Sequence, residues 1–109
     1  MIIATRLLEL RTGTSSLQFA VRLFKPQEKD GSWSCRYEID WPKGRKVSSA
    51  TGFDSVQSIV AALQKIAVEI YTSDQHRSGR LTWRGSGTGY GFPVTANVRD
   101  LLKGDDAHL

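Results

Sequence analysis

The stretch DSVQSIVAALQKIAVEIY, residues 54–71, decides how the rest of the chain must be arranged. Val56, Ile59, Val60, Leu63, Ile66, Ala67, Ile70 and Tyr71 recur at three- and four-residue spacing, the mark of one apolar helical face. Gln57, Ser58, Gln64, Lys65, Glu69 and Thr72 fall mostly on the opposite side. Asp54 is placed to cap the first turn, with Gln57 three residues on as its capping-box partner. His76 and Arg77 follow the last turn, where positive charge suits the helix dipole. A helix of this length presents an apolar stripe roughly 25 Å long, and the remaining sequence has to cover it.

Residues 33–41, WSCRYEIDW, are built to do so. Trp33, Cys35, Tyr37, Ile39 and Trp41 alternate with Ser34, Arg36, Glu38 and Asp40, which predicts a strand whose first row meets the helix. Residues 17–24 alternate as cleanly, with Leu17, Phe19, Val21 and Leu23 on one side and Gln18, Ala20 and Arg22 on the other. Residues 2–11 form a third apolar run in which Leu7 and Leu8 face opposite ways, so this strand is expected to be covered, at least in part, on both faces. RTGTSS at 11–16 is a turn with Gly13 at its tip. Pro26 ends the second strand, and 25–32, KPQEKDGS, reads as a solvated connection. WPKG at 41–44 turns into a more polar strand at 45–51, and RLTWR at 80–84, with Leu81 and Trp83 in phase, gives a short fifth strand. Connections this short join antiparallel neighbours. The fold class is therefore α+β: an antiparallel four- to five-stranded meander sheet with one long amphipathic helix packed on one face. A single domain over 1–104 closes with a short helix at 97–104, capped by Asn97, and 105–109 form a frayed tail.

A chain of 109 residues supports one core and not two. No segment approaches the ~20 apolar residues of a membrane span. The N-terminus carries no basic leader, and the single cysteine fits a reducing compartment, so a cytoplasmic protein without a membrane partner is expected. Lysine plus arginine exceed the acids by 15 to 11. The excess sits in two acid-free zones, 41–53 with Lys43, Arg45 and Lys46, and 76–99 with Arg77, Arg80, Arg84 and Arg99. Lys43, Arg45, Lys46, Arg77, Arg80 and Arg84 are the candidate surface for an anionic partner, provided the two zones meet in space.

Reaction chemistry finds little support. Gly85, Gly87, Gly89 and Gly91 suggest a phosphate loop, but Tyr90, Phe92 and Pro93 follow where a helix and a lysine should stand, so a turned connection anchored by its two aromatics fits better. Cys35 lies in the inward row as a small core residue. His76, near Ser73 and Asp74, supplies triad residue types without a nucleophile turn. The two histidines and one cysteine have no metal-ligand spacing. No catalytic residue, metal or cofactor is expected. Arg22 and Arg36 project outward beside Glu38 and Asp40, which neutralise them, while the aromatics a nucleic-acid-binding sheet would expose lie in the inward row.

Trp33, Cys35 and Tyr37; Gly52, Asp54 and Gln57; Tyr71, Thr72 and Ser73; and Gly91, Phe92 and Pro93 together resemble a widespread family of small bacterial domains of unknown function. The resemblance spans nearly the whole chain. It implies a compact α+β domain and carries no catalytic residues. The expected function is a non-enzymatic protein-interaction module of immunity or adaptor type, its partner another protein. The alternative is a nucleic-acid-binding accessory protein using basic segments 43–46 and 77–84.

Overall fold

A computed structural model describes residues 1–85 and 89–94. Six strands and two helices run in the order β1 (Ile2–Thr12), β2 (Ser15–Phe24), β3 (Gln27–Lys29), β4 (Ser32–Trp41), β5 (Gly44–Gly52), α1 (Ser55–Tyr71), α2 (Asp74–Arg77) and β6 (Leu81–Thr82). All pairings are antiparallel. Across the sheet the order is β6, β1, β2, β4, β5, the expected meander with the fifth predicted strand laid on the free edge of β1. The helix expected over 97–104 and the tail at 105–109 lie outside the described residues. Among the described residues, no helix is long and apolar enough to cross a membrane.

The sixth strand is a correction. Gln27, Glu28 and Lys29, expected in a solvated connection, pair with Ser34, Trp33 and Ser32. Both β2 and β3 lie along the same edge of β4, so Pro26 interrupts a ladder that resumes beyond it. The hairpin from β3 to β4 is closed by Asp30 and Gly31, both at positive φ (54° and 82°), as a two-residue turn requires.

Helix α1 starts where the capping residues place it. Asp54 accepts from the Gln57 N–H at 2.7 Å, and the Gln57 side chain accepts from the Phe53 N–H at 2.6 Å. At the far end, Arg77 donates to the Thr72 carbonyl at 2.7 Å, supplying the positive charge expected there. The buried row of β4 is Cys35, Tyr37 and Ile39, with Trp41 packed at its margin against Phe19 (ring centroids 5.2 Å apart). Ser58, Ala62, Ile66 and Ile70 follow one another at four-residue steps along the buried side of the helix. Val56 and Val60, expected in the apolar face, are exposed, and Ser58, expected outside, is buried. The cause is a close approach. A Cβ on Gly52 would stand 2.6 Å from the Ser58 nitrogen, so the first turns of α1 press small residues onto the end of β5 and rotate the valines outward.

The helix contacts β4 and β5 and leaves the β1 side of the same face to residues 89–94. Tyr90, Phe92 and Val94 are buried there, so both aromatics of the glycine segment are anchors. Arg6 donates to the carbonyls of Tyr90 and Gly91, each at 2.9 Å, and its guanidinium lies against the rings of Trp83 (4.0 Å) and Phe92 (4.9 Å). Gly91, at φ 77°, has no room for a side chain beside Trp83. Strand β1 is fully covered on this side, where Leu8 is buried, and on the other face Leu7 is half-exposed, so that the expected cover there is only partial among the described residues.

Gly52→Ala is expected to destabilise the fold by about 1–3 kcal/mol, because the atoms met are backbone and cannot swing away. Urea denaturation checks this; an unchanged midpoint would remove the close approach as the reason the valines face outward.

Candidate interaction surface

The outer face of the sheet is held by a charge lattice. Glu38, 5% exposed, is met by Arg22 and Arg45 at 3.7 Å and by Arg36, while Asp40 is bound by Arg22 at 2.6 Å and Arg45 at 2.8 Å. The cross-strand pairs Arg22 with Glu38 and Asp40 with Arg45 follow from the register. Burial pushes the Asp40 carboxyl up, but hydrogen bonds and charge from Arg22 and Arg45 outweigh it and hold the group below the usual range. Arg36 also covers the Phe24 ring at 4.8 Å. Three arginines are thus engaged by two carboxylates, and the sheet arginines are neutralised as the sequence suggests.

The six cationic residues singled out by sequence do not form one surface. Lys43, Arg45 and Lys46 line one open groove of about 530 Å³ with Trp41, Glu69 and Thr72, between the β4–β5 turn and the C-terminal end of α1. Within it Lys46 pairs with Glu69 at 3.7 Å, and Tyr37 donates a hydrogen bond to the same carboxylate. Burial, then the Glu69 hydrogen bond, push the Tyr37 phenol up. Lys43 has no ionic partner among the described residues. Arg77 pairs with Asp74 on α2. Arg80 lies at the start of β6, where Arg11 N–H donates to its carbonyl at 3.0 Å, and Arg84 packs on Trp83 at 5.3 Å. Strand β6 is on the far edge of the sheet from β5, four strand spacings or roughly 19 Å away. Arg80 and Arg84 therefore flank the opposite edge from Lys43, Arg45 and Lys46, whereas Arg77, bonded to the carbonyl of Thr72, stands beside the groove of those three.

Sequence did not single out the edge beside Lys43. Among the described residues strand β5 pairs with β4 alone, in an unbroken register from Trp33 with Gly52 to Trp41 with Gly44. The two-residue Pro42–Lys43 loop makes Trp41 and Gly44 the closing hydrogen-bonded pair, so alternate residues of β5 turn their N–H and C=O groups away from β4. These are Arg45, Val47, Ser49 and Thr51. Lys65 of α1 reaches the outward carbonyl of Ser49 at 2.8 Å, as this parity requires. The helix runs antiparallel to this edge, with Gln57 near Gly52, Lys65 near Ser48 and Glu69 near Lys46.

Beside the other end of β5 the helix flank is apolar. Phe53 and Val60 there are 89 and 42% exposed, while Val56, 66% exposed, is nine residues before Lys65 and so points to the opposite side of the helix. Phe53 and Val60 join Ser32, Thr51, Gln57 and Gln64 around an open groove of about 560 Å³. An available signal was the excess width of the apolar stripe in 54–71, which is more than one sheet contact needs, together with Phe53 immediately before the cap.

Cys35 is buried, and its thiol donates to the Phe24 carbonyl at 3.4 Å; burial pushes its pKa up, away from thiolate chemistry. The His76 Nδ1 is 2.7 Å from the Tyr90 hydroxyl, and His76, Tyr71 and Tyr90 make edge contacts at 4.8 to 5.5 Å. Neither residue lines a groove described above. Among the described residues, no group of three or more His, Cys, Asp and Glu side chains is disposed to hold a metal ion.

Sheet, helix and closing segment define a small α+β domain in which, among the described residues, one sheet face and the β5 edge are left open. Residues 4–94 match the model of a family described as Domain of unknown function (DUF6968), and the chain belongs to that family. No curated protein and no solved structure matches it.

Because the Asp40 pKa is depressed in the fold, its contribution to stability is present above the unfolded carboxyl value of about 3.9 and is lost as pH falls through the folded value. The stability gap between the wild type and Asp40→Asn is expected to be widest near neutrality and to close in acid, which urea midpoints across that range would read. A buried thiol of raised pKa should also resist a disulfide reagent at neutral pH and react at once in urea; fast reaction of the folded protein would place Cys35 elsewhere.

Proposed function

We propose that this chain is a non-enzymatic protein-interaction module, in the manner of small adaptor or immunity domains, and that its docking surface is the open edge of β5 with the apolar flank of α1. The observation that carries this is the pair Phe53 and Val60 standing in solvent beside a strand edge that has no partner strand among the described residues. Large apolar side chains grouped at a sheet edge invite association, which a chain with no partner there avoids. A nucleic-acid role has one observation in its favour, the grouping of Lys43, Arg45 and Lys46. Two of these three already face carboxylates, and Arg80 and Arg84 lie on the other edge.

A photoreactive phenylalanine analogue at position 53, in cells expressing the full chain, is expected to give a protein adduct of defined mass. The adduct should vanish with Val60→Asp and be absent when the analogue replaces the exposed Gln18. No adduct at position 53 would end the proposal. Oligonucleotide binding that weakens steeply with salt and is abolished by Lys43→Glu would favour the nucleic-acid role instead.

A further inference from the structure

We infer that the partner is an extended segment of another protein that adds to β5 as an antiparallel strand, with an apolar residue followed four positions later by an acidic one. This rests on the interaction-module proposal and specifies how that surface is used. The backbone of β5 suits it: nine residues in unbroken register, without proline, with the outward N–H groups of Arg45, Val47, Ser49 and Thr51 facing no strand among the described residues. Strand addition draws its affinity from such groups and its selectivity from pockets met by alternate side chains.

Those pockets differ in chemistry along the edge. A strand antiparallel to β5 places the residue opposite Ala50 on the helix side, against the groove of Phe53 and Val60. Four residues on, the residue opposite Lys46 reaches the groove of Lys43 and Lys46. No acid occurs in 41–53, and Lys43 has no ionic partner among the described residues, so an anionic side chain is matched at that end. Asp40 is bound by Arg22 and Arg45, and Glu69 by Tyr37 and Lys46. A second copy of this chain offers no acid from its own β5 to meet Lys43, which favours a different protein. Lys65 on the Ser49 carbonyl occupies one outward acceptor until the segment arrives.

The probe is a blocked nine-residue threonine peptide with isoleucine at its third position and glutamate at its seventh, titrated into the purified full chain and followed by amide NMR. Saturable shifts are expected at Val47, Ser49 and Thr51 and at the groove residues. Glutamate to lysine in the peptide should weaken binding roughly five-fold or more. N-methylation of its fourth and sixth residues, whose amides face Ser49 and Val47, should abolish binding. Val47→Pro, which removes only an outward N–H, should do the same while preserving the fold; if that variant does not fold, the N-methylated peptide decides alone. Shifts confined to the outer sheet face, equal binding of the N-methylated peptide, or indifference to the charge change would overturn the inference. So would a dimer in sedimentation that Val47→Pro abolishes, which would make β5 of a second copy the occupant. If the position-53 adduct forms in cells and survives Val47→Pro, the interaction module stands and strand addition falls; if no adduct forms, both fall.

Discussion

The contact between the first turns of α1 and the end of β5 governs the rest of the structure. Gly52 has no side chain, and Ser58 and Ala62 are small, so the helix backbone comes down almost onto the strand. A glycine at a close approach exchanges conformational freedom for proximity. That proximity fixes the rotation of the helix about its own axis. Ser58, Ala62, Ile66 and Ile70 are turned under, while Val56 and Val60 emerge into solvent and Val60 lines the groove beside the open edge. One missing methyl group thereby determines both the seal over Tyr37 and the apolar groove outside it.

The two faces of the sheet are stabilised differently. Beneath the helix lie Cys35, Tyr37 and Ile39, shielded from water by carbon, with the Tyr37 hydroxyl satisfied by Glu69. On the outer face no described element packs over β4, and Glu38 is shielded instead by three guanidinium groups. An ionised carboxylate so deeply placed is tolerated only when fully paired. This lattice leaves Arg22, Arg36 and Arg45 poorly suited to recruit an anion, whereas Lys43 at the turn is not so engaged.

Much of this architecture was legible in the sequence because its periods were strong. The helix falls on its predicted span with Asp54 as cap, and Cys35, Tyr37 and Ile39 lie in the inward row that alternation assigns them. Tyr90 and Phe92 anchor the glycine segment as their spacing suggests. Strand β3 escaped because Pro26 was read as a terminus, although Asp30-Gly31 carried a hairpin signal that pointed the other way. The orientation of Val56 and Val60 was not legible, since hydrophobic periodicity records which residues are apolar and not how near a helix can come to its sheet. Whether the two cationic zones meet was not legible in sequence, since only strand order reveals that β5 and β6 are opposite margins.

Arg6 and the carbonyls of Tyr90 and Gly91 are separated by 84 and 85 positions along the chain. In synthesis from the N-terminus, β1 through α1 can assemble in order, yet the β1 side of the inner face waits for residues 89–94. Leu8 and its neighbours remain wet throughout that interval, an exposure of the kind that recruits chaperones or promotes clumping in slow, long-range topologies. The arginine that closes the domain is thus made well before the carbonyls that hold it in place.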